Sequence, residues 1–232
     1  MGDGYGPVVV RKRRTRNVEH PTSNAEASTF DVGRPMFDVA SPKNSTPDAR
    51  EVLKRCTIAV PGKLTSSFLA LQLFLGQFEF TVVPFDRIFD AVETGRADVG
   101  LIIHEGQLTY AQSGFEKIID LGEWWKRQTG LPLPLGGNVV RKDISPRVRR
   151  ELTEIIRESI DYGLVNRDEA VAYSLVYARD MNRQLTSKFI GMYVNEFTLN
   201  YGEIGRTAIS KFLTDAHYKG YIDGPIELEF VE

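Results

Sequence analysis

The sequence predicts an α/β protein built on a parallel sheet, and three observations carry that prediction. Apolar, β-rich runs stand at 56–60 (CTIAV), 80–85 (FTVVPF) and 98–103 (DVGLII). Segments of helical character separate them, and the connections are short. Strand–helix–strand units of this kind cross over with a right-handed sense and lay their strands parallel. In such sheets ligands sit beyond the carboxyl ends of the strands, which is where functional residues are sought.

The elements follow in chain order. Residues 5–10 (YGPVVV) read as a short buried strand. From 11 to 50 the chain is polar, rich in Pro, Ser and Asn, and shows no sustained period, so it reads as a largely disordered insertion. Its basic run, Arg11 to Arg16, suits either a nucleic-acid or targeting patch or the solvated base of a loop; one short run is weak support for the former. CTIAV ends at the turn signal Pro61-Gly62. Thr65, Ser66 and Ser67 then supply a hydroxyl cap for FLALQLFL, whose apolar density suits a buried helix. FTVVPF is the next strand, and Asp86 is placed to cap the helix RIFDAVET, which Gly95 stops. DVGLII runs straight into His104. Beyond Gly136 the chain turns helical, with Ser145-Pro146 opening PRVRRELTEIIRESIDYGLV. RDEAVAYSLVYAR, RQLTSKFIGMYVNEFT and EIGRTAISKFLTDAHYKG follow as amphipathic stretches, and IELEFVE closes as a strand or an extended tail.

Composition narrows the function classes. The 232 residues are 42% hydrophobic and 26% charged with a formal net charge of -2, an ordinary globular balance. A near-neutral surface gives no support for a nucleic-acid or acidic-membrane partner. The single cysteine, Cys56, cannot form an internal disulfide. MGDGYGPVVVRKRR places its short apolar run before its charges, the reverse of a secretory signal. No stretch approaches the roughly 18 apolar residues of a spanning helix. The expected location is the cytoplasm.

Three histidines leave little room for a metal site built on histidine pairs. His20 falls in the insertion, and His217 stands beside Tyr218 and Lys219 late in the chain, where a solvated role is expected. His104 differs, because an apolar strand delivers it to the ligand edge, with Glu105 and Gly106 following. It reads either as a core-edge ring hydrogen-bonded for structural reasons or as an acid/base group, since an imidazole with a pKa of about 6.5 takes up a proton near neutrality. Glu105 either orients it or faces solvent. The turn PGKLTSS offers hydroxyls and first-turn amides that suit a carboxylate or phosphate, although simple capping is the favoured reading of the residues alone. It lacks the earlier glycine of a phosphate-binding Walker loop, and GDGYG follows no strand, so neither nucleotide motif stands. No cysteine cluster, GxSxG elbow or HExxH motif occurs. Trp124-Trp125 and the run Leu131 to Gly137 could wall an aromatic substrate; packing at a corner is the favoured reading.

Four long runs carry a resemblance: VPGKLTSSFLALQLFL (60–75), GLIIHEGQLTY (100–110), DLGEWWKRQTGLPLPLGG (120–137) and FIGMYVNEFTLNYG (189–202), with GYGPVVV (4–10) before them. In order and in detail they resemble the 1,4-dihydroxy-6-naphthoate synthase family of menaquinone biosynthesis. The resemblance implies the two-lobed fold of type II periplasmic solute-binding proteins, in a cytoplasmic enzyme. Residues 1–10 would enter a continuous lobe completed by 51–137, and 138–232 would form the helical part of the discontinuous lobe. It implies a lyase that cleaves cyclic dehypoxanthinyl futalosine to 1,4-dihydroxy-6-naphthoate, with His104 as the proton acceptor and Ser66 and Ser67 contacting the ligand. The scheme requires no metal or organic cofactor. Ser66 stands where family members usually carry threonine. Nothing here matches the family's SPCPNDTF-like opening motif, so the first part of one lobe is expected to be missing, helices 146–218 are expected to expose apolar surface, and the chain is expected to be unstable or inactive. Two other readings remain: a non-catalytic binding or sensor module of the same fold, and the sister enzyme chorismate dehydratase, against which HEGQLTY and GEWWKRQTGLPLPLGG weigh.

Overall fold

A computed structural model describes residues 1–13, 48–178 and 181–231. Five strands, β1 (Val8–Lys12), β2 (Ile58–Val60), β3 (Phe80–Val82), β4 (Val99–Ile102) and β5 (Phe115–Asp120), form one sheet in the order β3-β2-β4-β1-β5. β2 pairs parallel with both β3 and β4, through the crossover helices α2 (Ser66–Leu75) and α3 (Ile88–Glu93). The parallel pairing expected of the three strands in 56–103 is present, and β1, to which the sequence assigned no direction, runs antiparallel to both β4 and β5. Short helical crossovers dictate direction only for the strands they join, here β2 to β3 through α2 and β3 to β4 through α3.

Side chains alternate across the sheet and both faces are covered. Val9, Ile58, Val60, Leu101 and Ile119 point to the face that packs α2, α5 (Leu121–Thr129) and Phe212 of α10 (Gly202–Tyr218). Val8, Val10, Ala59, Ile102 and Phe115 point to the other, against Ile88, Ala91 and Val92 of α3. Gly100 lets α3 settle on β4, since a Cβ there would lie 2.4 Å from Ile88 Cγ2.

Several boundaries differ from the sequence reading. β1 continues through Lys12, where Arg11 pairs with Glu116 of β5 at 2.5 Å, so part of the basic run is strand edge. A short helix α1 (Ala49–Leu53) precedes β2, and its Leu53 is buried. The rest of the polar insertion, His20 included, lies outside the described residues. β3 stops at Val82 before Pro84, and Asp86 lies in a 3-10 turn (Phe85–Arg87) instead of capping α3 with its side chain. A further short helix, α4 (Gly106–Thr109), follows His104.

The carboxyl-terminal half is helical: α6 (Pro146–Val165), α7 (Arg167–Ser174), α8 (Arg183–Tyr193), α9 (Glu196–Leu199) and α10. α6 occupies the expected residues, with Ser145 Oγ accepting from the Val148 N–H and proline at its start. None of its residues is buried, and Ile155 and Val165 are 61% and 74% exposed. The stretch read as one segment from 183 breaks at Val194, because Asn195 and Thr198 form a reciprocal capping box that starts α9. The final residues 225–231 form no strand. Among the described residues no helix is long and apolar enough to cross a membrane.

Where backbones meet, glycine is required. A Cβ on Gly122 at the start of α5 would fall 2.0 Å from both the carbonyl carbon and oxygen of Tyr5. Gly163 on α6 has nothing within 4 Å of its would-be Cβ. Thermal or denaturant unfolding should therefore separate two identical substitutions. Gly122→Ala should lose on the order of 3 kcal/mol through overpacking, whereas Gly163→Ala should gain about 0.5–1 kcal/mol from helix propensity and reduced chain entropy.

Candidate active site

The carboxyl ends of β3, β2 and β4 and the amino end of the reversed β1 lie on one edge of the sheet. β4 is followed at once by His104, whose side chain is 14% exposed. Phe85, after β3, and Phe89 of α3 set their ring centroids 5.8 Å and 5.9 Å from the imidazole, Phe89 edge-on. The Gly106 N–H donates to His104 Nδ1 at 3.0 Å. A Cβ on Gly106 would come within 2.7 Å of both His104 Cε1 and the Phe89 ring, so glycine is what admits the ring at this distance. Glu105 Oε2 stands 3.7 Å from the same Nδ1.

The helical half reaches this edge through Tyr193, the last residue of α8. Its hydroxyl donates to the Ile103 carbonyl at 3.0 Å and accepts from Gln107 Nε2 at 3.0 Å. Burial raises the Tyr193 pKa, so the hydroxyl keeps its proton. Beside it, Tyr5 donates to the Met192 carbonyl at 2.8 Å, and Asn195 Nδ2 donates to the Met1 carbonyl and to Tyr5 Oη, each at 3.2 Å. Sequence reasoning missed Tyr5, Tyr193 and Asn195, because the partners that tie them to this edge are 86 to 194 residues away.

At the end of β2, Thr65 caps α2 by accepting from the Phe68 N–H at 3.1 Å. Ser67 is buried with its Oγ 2.9 Å from Thr65 Oγ1, and Ser66 donates to the Leu135 carbonyl at 2.5 Å. The two serine hydroxyls thus already serve the turn and the adjoining Leu131 to Gly137 run. Ser66 also lines a cavity of about 850 Å3 together with Gly136, Leu152, Ile156, Tyr201 and Phe230. Neither His104 nor Ser67 is in that lining, so of the three predicted site residues only Ser66 faces this cavity. The tryptophans pack: Trp125 meets Phe212 edge-on at 5.5 Å, and Trp124 meets Phe74 at 5.2 Å. His217 rests 3.4 Å from the Ile222 carbonyl, and burial pushes the Cys56 thiol up in pKa.

β5 and α5 were not anticipated. The signal was present in Asp120, whose carboxylate accepts from the Gly122 and Glu123 N–H groups, and in Gly130, which ends α5 in the left-handed region. Asp120 is 7% exposed. Burial raises its pKa from 3.8 to about 6, against the lowering effect of the two amide hydrogen bonds.

The family model described as menaquinone biosynthesis matches residues 1–218. The chain is 36% identical over 170 residues to a 1,4-dihydroxy-6-naphthoate synthase of Thermus thermophilus, and 35% identical over 193 residues to one of Streptomyces coelicolor. These alignments cover 73% and 80% of this chain, which spans 62% and 68% of the length of those relatives. A crystal structure of an Archaeoglobus fulgidus protein superposes with a TM-score of 0.76 at 38% identity, covering 95% of this chain and 70% of that one. The ligand-binding component of an ABC-type import system from Staphylococcus aureus, at 12% identity, gives 0.51 over 92% of this chain and 65% of its own. A periplasmic sulfonate-binding protein of Methylobacillus flagellatus, at 14%, gives 0.53 over 94% and 60%. The last two likenesses show the fold, which is that of periplasmic binding proteins.

Two measurements probe the edge. Because the folded chain holds the Asp120 proton more tightly than the unfolded chain does, this group stabilises below about pH 4 and the contribution is lost as pH rises through about 6. The stability difference between the protein and Asp120→Asn should accordingly change by on the order of 3 kcal/mol between pH 4 and pH 7, with Asp120→Asn the less pH-dependent of the two. Tyr193→Phe should cost about 1–3 kcal/mol in denaturant unfolding by leaving Ile103 and Gln107 without this partner.

Proposed function

This chain belongs to the 1,4-dihydroxy-6-naphthoate synthase family of menaquinone biosynthesis, and from that membership we propose that it is a carbon–carbon lyase cleaving cyclic dehypoxanthinyl futalosine to 1,4-dihydroxy-6-naphthoate. The observation that carries the site assignment is the ring of His104, delivered by β4 to the ligand edge and held there between Phe85, Phe89 and the Gly106 amide. His104 acts as the general base, and formation of the aromatic ring helps drive bond cleavage. The start of α2 binds an oxygen-rich part of the substrate: its first-turn amides and helix dipole favour negative charge, and Ser66 and Ser67 contact the ligand, their hydroxyls turning from Leu135 and Thr65 to donate to it. Phe85 and Phe89 shield the proton transfer from bulk water. The scheme calls for no metal or organic cofactor, no nucleic acid and no membrane, and it places the chain in the cytoplasm. Residues 51–137 then form the continuous lobe and 138–232 the helical part of the other.

The test supplies the purified chain with cyclic dehypoxanthinyl futalosine and follows naphthoate formation beside His104→Ala. A general base contributes about 100- to 10,000-fold, and turnover should fall by that order in the variant. Equal turnover by both proteins would remove His104 from the chemistry. Ligand binding without product in either would favour a binding module of the same fold.

A further inference from the structure

We infer that Glu105 is a positioning residue that converts His104 from a proton donor into a proton acceptor at Nε2, by displacing the Gly106 amide as the partner of Nδ1. The inference rests on His104 being the general base and adds the step that makes it one.

The argument begins with the two nitrogens. A neutral imidazole carries one N–H and one lone pair, and the partner of one nitrogen decides which is which. A backbone N–H can only donate. With Gly106 N–H directed at Nδ1 at 3.0 Å, the lone pair is at Nδ1 and the ring proton is at Nε2. In that tautomer Nε2 offers a hydrogen bond and cannot take a proton. A base working at Nε2 needs the proton at Nδ1 and an acceptor to receive it. Glu105 Oε2 lies 3.7 Å from Nδ1, just beyond the hydrogen-bonding range of about 2.7–3.2 Å, and an ionised carboxylate can only accept. Gly106 and Glu105 are thus opposite partners for one atom, and each selects one tautomer.

What is fixed and what is free suits a switch. The ring is confined by Phe85, by Phe89 and by the missing Cβ of Gly106. Glu105 is 26% exposed and stands at the cap position of the four-residue helix α4, so its carboxylate can close the remaining distance by a side-chain rotation. From the elements packed nearby, the 3-10 turn and α3 bring the two phenyl rings, and α8 brings the Tyr193 hydroxyl, which burial keeps protonated on the Ile103 carbonyl. Glu105 sets a carboxylate 3.7 Å from Nδ1, and the 3-10 turn that brings Phe85 also carries Asp86 and Arg87.

The proton count balances. A proton from water binds Nδ1 as the Gly106 bond opens, and the Nε2 proton returns to water, leaving a neutral ring with Nδ1–H on the Glu105 carboxylate. Nε2 then takes the substrate proton, and the imidazolium formed is paired with that carboxylate. Glu105→Gln would offer its own amide N–H to Nδ1 and hold the inactive tautomer.

Proton and nitrogen NMR of the chain across pH, with His104→Ala to assign the signals, tests this without requiring turnover. In the wild type, protonation of His104 should shift the Gly106 amide resonance as its acceptor is lost. Glu105→Gln should move that event to lower pH. Where turnover is measured, Glu105→Gln should lower kcat/KM by about 10- to 100-fold, a part of what a general base supplies. Identical titration of His104 and Gly106 in both proteins would overturn the inference. Turnover that survives His104→Ala would instead overturn the general-base reading, and the two titrations would still decide whether Glu105 engages the ring.

Discussion

β1 lies antiparallel between two strands that point the other way, and much of the site depends on that placement. Its ladder joins β4 through Val8 and Ile102 and joins β5 through Val8 and Asp120. Reversal brings the segment before β1 to the edge where the other strands end. There Gly2 exchanges two backbone hydrogen bonds with Leu133, Tyr5 and the Met1 carbonyl receive the capping residue Asn195, and Gly6 crosses Gly122 at backbone contact. Had β1 run parallel, its amino end would lie at the opposite edge, and these ties between the sheet and α8–α9 would not form.

The two halves of the chain are held by different physics. The sheet and its flanking helices bury a continuous apolar core through Trp125, Phe212 and the strand side chains, the kind of burial that contributes about 25 cal/mol per Å2. α6 buries nothing completely and leaves Ile155 and Val165 in contact with solvent. Its ion pairs, such as Arg147 with Glu151 at 3.1 Å, are exposed, and such pairs contribute little. Of the apolar surface expected to be exposed on helices 146–218, that of α6 is exposed, whereas α10 buries Ala208, Phe212 and Ala216. What attaches this half is apolar at α10, through Phe212 and Ala216, and polar elsewhere: the Tyr193 hydroxyl on Ile103, Asn195 on Met1, and the Lys219 ammonium on the Leu73 carbonyl.

Legibility in the sequence followed the range of the interactions. α6 could be placed to the residue because Ser145, Pro146 and the 3.6-residue period are local. β2 and β4 were visible because buried strands read as continuous apolar runs, and β3, which is only partly buried, because FTVV is β-rich. β5 (FEKIID) was not, since its buried positions are interrupted by Glu116 and Lys117, which serve its own edge of the sheet. His104 could be singled out from where its strand delivers it, whereas Tyr193, which braces the same strand end from 90 residues away, carries no local mark. The direction of β1 was hidden for a like reason: direction is a property of pairing, and the pairing partners are distant.

The position of the imidazole is set less by an attractive group than by an atom the chain lacks. With any side chain at residue 106 the ring and Phe89 would have to separate, and the amide that selects the tautomer would move with them. The glycine therefore does two things at once: it opens the space that packs the ring against Phe89, and it carries the donor that places the ring proton at Nε2. On the proposal that His104 is the base, a site arranged this way holds Nε2 in the donor form until a carboxylate competes for the other nitrogen. Glu105, adjacent in sequence to the ring and partly exposed to solvent, is set where that competition can be decided when a ligand fills the edge.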